Sequence, residues 1–187
     1  MRLDAEALYD SLLLVAGKLD ETRGGPADAV QARKDGLVTP NGTAKGWRRL
    51  VYVQQTRKQP ATHAETFDFP QMNPNCIERR DSTVAPQALH LMNNGMVEKL
   101  AEELAKRVRR DAGDDRAKQI DTLYLIALSR LPTDDEKQLG RESIRELVGV
   151  WEKQLASSKP TGSAIELKAL TTYCHAILNS AAFLYVD

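Results

Sequence analysis

The chain has 187 residues, 42% hydrophobic and 28% charged, which is enough to bury a core in one domain. Its 26 basic side chains balance 26 acidic ones, so no concentrated positive surface recommends nucleic acid as a partner. Aromatic residues, at 5%, leave few stacking platforms, and no apolar run approaches the roughly 18 residues that span a bilayer.

Between Leu3 and Leu19, apolar residues at 5, 8, 12, 15, 16 and 19 predict a helix with Asp4 as its cap and Gly24-Gly25-Pro26 as its stop. Asp35-Gly36, inside Val30 to Thr39, is a hairpin signal, and Asn41-Gly42 is a second turn. Leu50-Val51-Tyr52-Val53 reads as a strand. From Pro60 to Asp81 periodicity disappears, and a loop that long in a compact domain is often functional. Ser82 or Thr83 is the expected cap of the next helix, Pro86 suits its first turn, and Asn94-Gly95 breaks it.

Met96 to Arg110 then reads as strongly helical, with Glu102–Lys106 and Glu103–Arg107 in the favourable i to i+4 order. Ala117 to Ser129 is a helix burying Ile120, Leu123, Tyr124, Ala127 and Leu128. Thr133 with Glu136 and Ser163 with Glu166 are capping boxes, the first opening a helix through Leu155 and the second the last helix. The expected fold is mostly α: an array of about five to seven helices with a small inserted β-hairpin. Residues 1–187 read as a single domain, the C-terminal part of a larger one, with a subdivision into 1–81 and 82–187.

No paired-cysteine, haem-attachment, zinc-protease, Walker, dinucleotide or nucleophile-elbow motif occurs. His63, His90 and His175 are scattered, so no metal site is expected. Cys76 and Cys174 lie about a hundred residues apart; buried free thiols are the ordinary reading, and pairing stays open. Loop carboxylates Glu65, Asp68, Glu78 and Asp81 have no fixed separation and read as solvated charges. The basic run from Lys106 to Arg110 complements a helix dipole.

One polar region stands apart. Gln87, His90 and Asn94 share a helix face by i, i+3, i+7 spacing, and Arg57, Asp68, Arg79 and Asn93 lie near them in sequence. If the arginine-rich loop covers that face, the network is buried or lines a cleft. It then either holds the loop in place or binds a ligand.

The same residues carry a resemblance. Arg2-Leu3-Asp4-Ala5-Glu6, Arg48-Arg49-x-x-Tyr52-Val53-Gln54-Gln55-x-Arg57, Phe67-Asp68-Phe69-Pro70 and Asn75-Cys76-x-x-Arg79 occur in that order. Ser82 to Asn94, Ala127-Leu128-Ser129-Arg130-x-Pro132-Thr133 and Leu178 to Asp187 follow. Together they resemble the planctomycete-specific C-terminal domain of unknown function. That family implies a large exported, periplasmic protein with a cytochrome-c-like module, so any haem would lie outside this chain, which itself needs no cofactor. The chain shows no signal peptide and is expected to begin inside the family's domain. Ala181-Ala182 stands where a polar or acidic residue is expected, which weakens the case for a C-terminal catalytic carboxylate.

Two functions follow as expectations. The first is an uncharacterised accessory or interaction domain that docks other domains of its parent through the arginine-rich loop. The alternative is part of an extracellular polymer-degrading, polysaccharide-related or redox enzyme. In it Arg57, Asp68, Arg79, Gln87, His90 and Asn93 would line a site for an anionic small molecule or polysaccharide, with His90 as acid or base. Catalytic residues are otherwise unassigned, and the partners exclude nucleic acid and a membrane span.

Overall fold

The computed structural model describes residues 1–56, 58–70, 82–158 and 160–186. It is mostly helical, with eight α-helices and two small β pairs among those residues. The chain divides into two compact units. One comprises 1–14, 18–94 and 184–187, the other 15–17 and 95–183. One boundary between the units falls at the Asn94–Gly95 helix break.

In the first unit, α1 (Ala5–Val15) buries Ala5, Leu8, Tyr9, Leu12 and Leu13. It ends earlier than its apolar pattern suggests. Gly17 adopts φ 67° and Lys18 N donates to Leu13 O at 2.8 Å, a Schellman turn for which glycine is the ordinary residue. Leu19 is therefore not helical. It opens β1 (Leu19–Asp20), which pairs in parallel with β4 (Trp47–Arg48). That close approach requires Gly46, because a Cβ there would sit 2.1 Å from Lys18 O.

The expected hairpin forms from β2 (Val30–Ala32) and β3 (Val38–Pro40), antiparallel, with Gln31 opposite Thr39 and Gly36 at φ 85°. Asn41-Gly42 does not make the second turn. Asn41 N still bonds Ala29 O, and the chain reverses through Thr43–Gly46 instead. Leu50–Tyr52, expected as a strand, is a 3-10 turn. Asp10 accepts Leu50 N at 2.8 Å, and burial of Leu50 and Val53 with Val51 exposed follows a period of three rather than two. A short helix, α2 (Thr62–Thr66), lies in the segment expected to be irregular, burying Ala61, Ala64 and Phe67 at every third position.

α3 (Ala85–Asn93) starts after Val84, with Gln87 Oε1 accepting Val84 N at 3.4 Å. Ser82, expected as a cap, has another task described below.

The second unit is helical. α4 (Gly95–Ala112) packs on α5 (Arg116–Leu128) and α7 (Gly162–Leu178), while α6 (Asp134–Leu155) packs on α5 and α7; α8 (Ala181–Leu184) follows. Asp115 caps α5, and the Thr133–Glu136 capping box opens α6 as the sequence predicts. α7 is capped by Thr161, which accepts Ala164 N, not by Ser163. No described helix is long and apolar enough to cross a membrane.

Candidate functional site

Asp68 organises the polar cluster of the first unit. α2 ends as α1 does, in a Schellman turn: Phe69 N donates to Ala64 O at 3.0 Å and Asp68 adopts φ 61°. Where α1 uses glycine, α2 uses a residue for which the left-handed conformation costs roughly 1 kcal/mol. The carboxylate accounts for the choice. It accepts Arg2 Nη2 at 2.8 Å, Ser82 N at 2.9 Å, Ser82 Oγ at 2.8–2.9 Å and Gln87 Nε2 at 3.2 Å. Burial works to raise its pKa. The Ser82 bonds, the Arg2 charge and the Gln87 amide outweigh that and hold the carboxyl below its usual range.

Gln87 is buried and its amide nitrogen also reaches Thr66 O at 3.1 Å and Ser82 Oγ at 3.2 Å. Ser82 therefore closes the chain back onto Asp68, and Gln87 ties that closure to α2 and α3. Arg2 is held from the other side. Its backbone bridges Tyr185, Leu3 N donates to Leu184 O at 2.8 Å, and its guanidinium lies 5.5 Å from the Phe67 ring centroid. Among the described residues, Arg2 Nε and Nη1 are buried without a hydrogen-bond partner.

Beside this network sits an aromatic group. The His63 ring lies 4.8 Å from Phe67, 5.5 Å from Tyr9 and 5.5 Å from His90, centroid to centroid. His63 Nε2 lies 3.2 Å from Ala5 O, so the neutral ring donates there. Burial first, then the neighbouring His90, pushes its pKa down to about 3. Burial also lowers His90, whose Nε2 is 3.2 Å from Asn94 Nδ2 and accepts from it. Two neutral imidazoles thus pack as aromatic rings.

Of the residues expected to converge, Asp68 and Gln87 touch, and His90 adjoins them through Phe67. Asn93 is exposed, and its neighbour Asn94 is the buried amide that meets His90. Arg57 and Arg79 lie outside the described residues, as does Cys76, whereas Cys174 is a buried free thiol on α7. Sequence reasoning missed Arg2, His63 and Ser82 as members. Arg2 and Ser82 stood in the quoted motifs, but only folding brings residues 2, 68 and 82 together.

The other arginines named from sequence serve elsewhere in the unit. Arg48 bonds Asp28 at 2.7–3.1 Å, Gly24 O at 2.7 Å and Pro26 O at 2.6 Å, fixing a loop that borders a cleft of about 500 Å³. Arg49 pairs with Asp10 at 2.6 Å. In that cleft Asp20 accepts Thr22 N, Thr22 Oγ1 and Thr43 Oγ1, and these bonds lower its pKa to about 2. No group of three or more His, Cys, Asp or Glu able to hold a metal occurs among the described residues.

The sequence pattern of a family described as a protein of unknown function (DUF1553) matches residues 1–144. No curated protein and no solved structure matches the chain.

Proposed function

Because the chain belongs to the family of proteins of unknown function (DUF1553), no reaction comes with its membership, and we propose that it acts as an accessory interaction domain. In this reading it docks other domains of a larger exported, periplasmic protein of planctomycete type, in which any haem sits in a different module. The supporting observation is the saturation of Asp68 by donors from Arg2, Ser82 and Gln87. A carboxylate so engaged scaffolds a loop rather than acting on a substrate. The arginine-rich stretch that includes Arg79 and Arg80 is the contact surface of this reading. Titrating the 187-residue chain with the separately produced remainder of its parent should give saturable heat, with a dissociation constant on the order of micromolar. No heat and no co-elution would refute the reading, as would catalysis by this chain alone.

A second reading has one observation in its favour. Two buried nitrogens of Arg2, Nε and Nη1, have no acceptor among the described residues, which suits a carboxylate or phosphate nearby. The chain would then be part of a polysaccharide-related or redox enzyme, with Arg57, Asp68, Arg79, Gln87, His90 and Asn93 around an anionic group. Arg79→Ala in the full-length parent should abolish anion binding, and binding by the unaltered parent should weaken as salt rises. Unchanged binding in the variant removes this reading.

A further inference from the structure

The dipeptide Asn-Gly occurs twice in the chain, and its two copies sit in opposite surroundings. Asn94 is buried, its side-chain amide donates to His90 Nε2 at 3.2 Å, and its main-chain N donates to His90 O at 2.9 Å. Asn41 and Gly42 are both exposed, and they line the cleft of about 500 Å³ together with Asp20 and Thr43. Asn41 N donates to Ala29 O at 2.8 Å, and Thr43 N donates to Gly46 O at 2.6 Å. Between those two bonds, the Asn41 side-chain amide and Gly42 N have no partner among the described residues. Glycine is also required at this place. A Cβ on residue 42 would lie 2.9 Å from Gly46 O and 3.3 Å from the Trp47 ring, so the fold keeps the least hindered residue next to Asn41.

We propose that Asn41-Gly42 is a site of spontaneous modification, where Asn41 loses its amide through a cyclic imide while Asn94-Gly95 is protected. Gly42 N attacks Asn41 Cγ and a C–N bond forms. The Cγ–Nδ2 bond breaks, and the amide leaves as ammonia with the proton from Gly42 N. Water then opens the ring at either carbonyl, giving aspartate or isoaspartate at position 41 with no oxidant or reductant consumed. The reaction needs a side chain free to turn onto the main chain, an attacking N–H without an acceptor, and access for water. Asn41-Gly42 meets all of these at the cleft. Asn94 is packed against His90 and reacts only through local opening of the end of α3. The product adds a carboxylate to a cleft already lined by Asp20 and Asp28. Its isoaspartate form also lengthens the main chain between two bonded amides, beside the Thr43–Gly46 reversal that leads into β4. This inference is independent of the accessory reading.

Ageing the intact 187-residue chain for several days in mildly alkaline buffer, folded and in urea, tests it. Each sample is digested with trypsin, and the amide-to-acid mass change is followed in peptides 35–45 and 81–99, with fragment ions assigning the position. In the folded chain, Asn41 should convert at least roughly tenfold faster than Asn94, because only Asn94 waits for local opening. In urea the two rates should come together. Asn41→Gln should abolish conversion in peptide 35–45, because the longer side chain closes the ring poorly. A folded chain in which Asn41 stays intact overturns the proposal. So does conversion of Asn94 as fast as Asn41 in the folded chain, or a rate difference that persists in urea.

Discussion

Asp68 occupies a left-handed position that glycine would fill without strain, so its substitutions separate backbone cost from side-chain bonding. Asp68→Asn keeps the size but removes the charge opposite Arg2, whose side chain is only 7% exposed. It should cost about 2–4 kcal/mol in urea unfolding, because a buried guanidinium loses its counter-ion. Asp68→Gly should recover roughly 1 kcal/mol of backbone strain yet still be destabilised. A neutral or stabilised Asp68→Gly would show that the network contributes little. The imidazoles give a pH signature. His63 is held down to about 3 against an ordinary value of 6.5, so the unfolded chain binds the extra proton first as pH falls. The contribution of this neutral ring is intact above pH 6.5 and is lost progressively down to pH 3. Stability should therefore drop by about 2 kcal/mol from His63 alone between pH 6.5 and 5, with His90 adding in the same direction. Asp20 and Glu136, both near 2, hold their contributions until pH falls below about 4, so His63→Phe should flatten only the upper part of the profile.

At the scale of elements, the caps and turns set by close neighbours were legible, and the direction in which the polar face of α3 points was not. The Thr133–Glu136 box works as its residue types dictate, with Arg130 pairing Glu136 at 2.7 Å, because a cap needs only neighbours three residues away. The Asn94–Gly95 break and the Asp35-Gly36 hairpin are local in the same sense. Leu50–Val53 was misread because a β-branched run does not record that Asp10, forty positions away, captures the Leu50 amide. The Gln87, His90, Asn94 face was recognised from spacing, but periodicity gives a face without saying whether it points inward. Gly140, inside α6, carries another long-range requirement. A Cβ there would lie 2.6 Å from the Tyr173 hydroxyl and 3.1 Å from Ile120 Cδ1. Gly140→Ala should gain in helix propensity, yet lose a net 1–3 kcal/mol in thermal unfolding as Tyr173 is displaced from its bond with Tyr124. A raised melting temperature would mean that Tyr173 moves aside without cost.

For the molecule as a whole, the first unit takes in both ends of the chain. Met1 N and Val186 O, Val186 N and Met1 O, and Leu3 N and Leu184 O are bonded, and this closure positions Arg2 beside Asp68. Deleting residues 185–187 removes two of these bonds and the Tyr185 contact. It should cost about 1–3 kcal/mol, seen by hydrogen exchange as faster opening of residues 1–14 while the helices of 95–183 keep their protection. Equal loss of protection in both units would mean that they open together. The sequence by itself determined the helical class, the small hairpin, several helix ends and membership of a family of unknown function, because these depend on spacing and on residues a few positions apart. Only the tertiary structure decided that residues 2, 68, 82 and 87 form one network with His63 packed beside it, and that α3 buries Gln87 while exposing Leu89 and Met92. Burial and long-range hydrogen bonding depend on which segments meet, and the pattern within one segment does not contain that information.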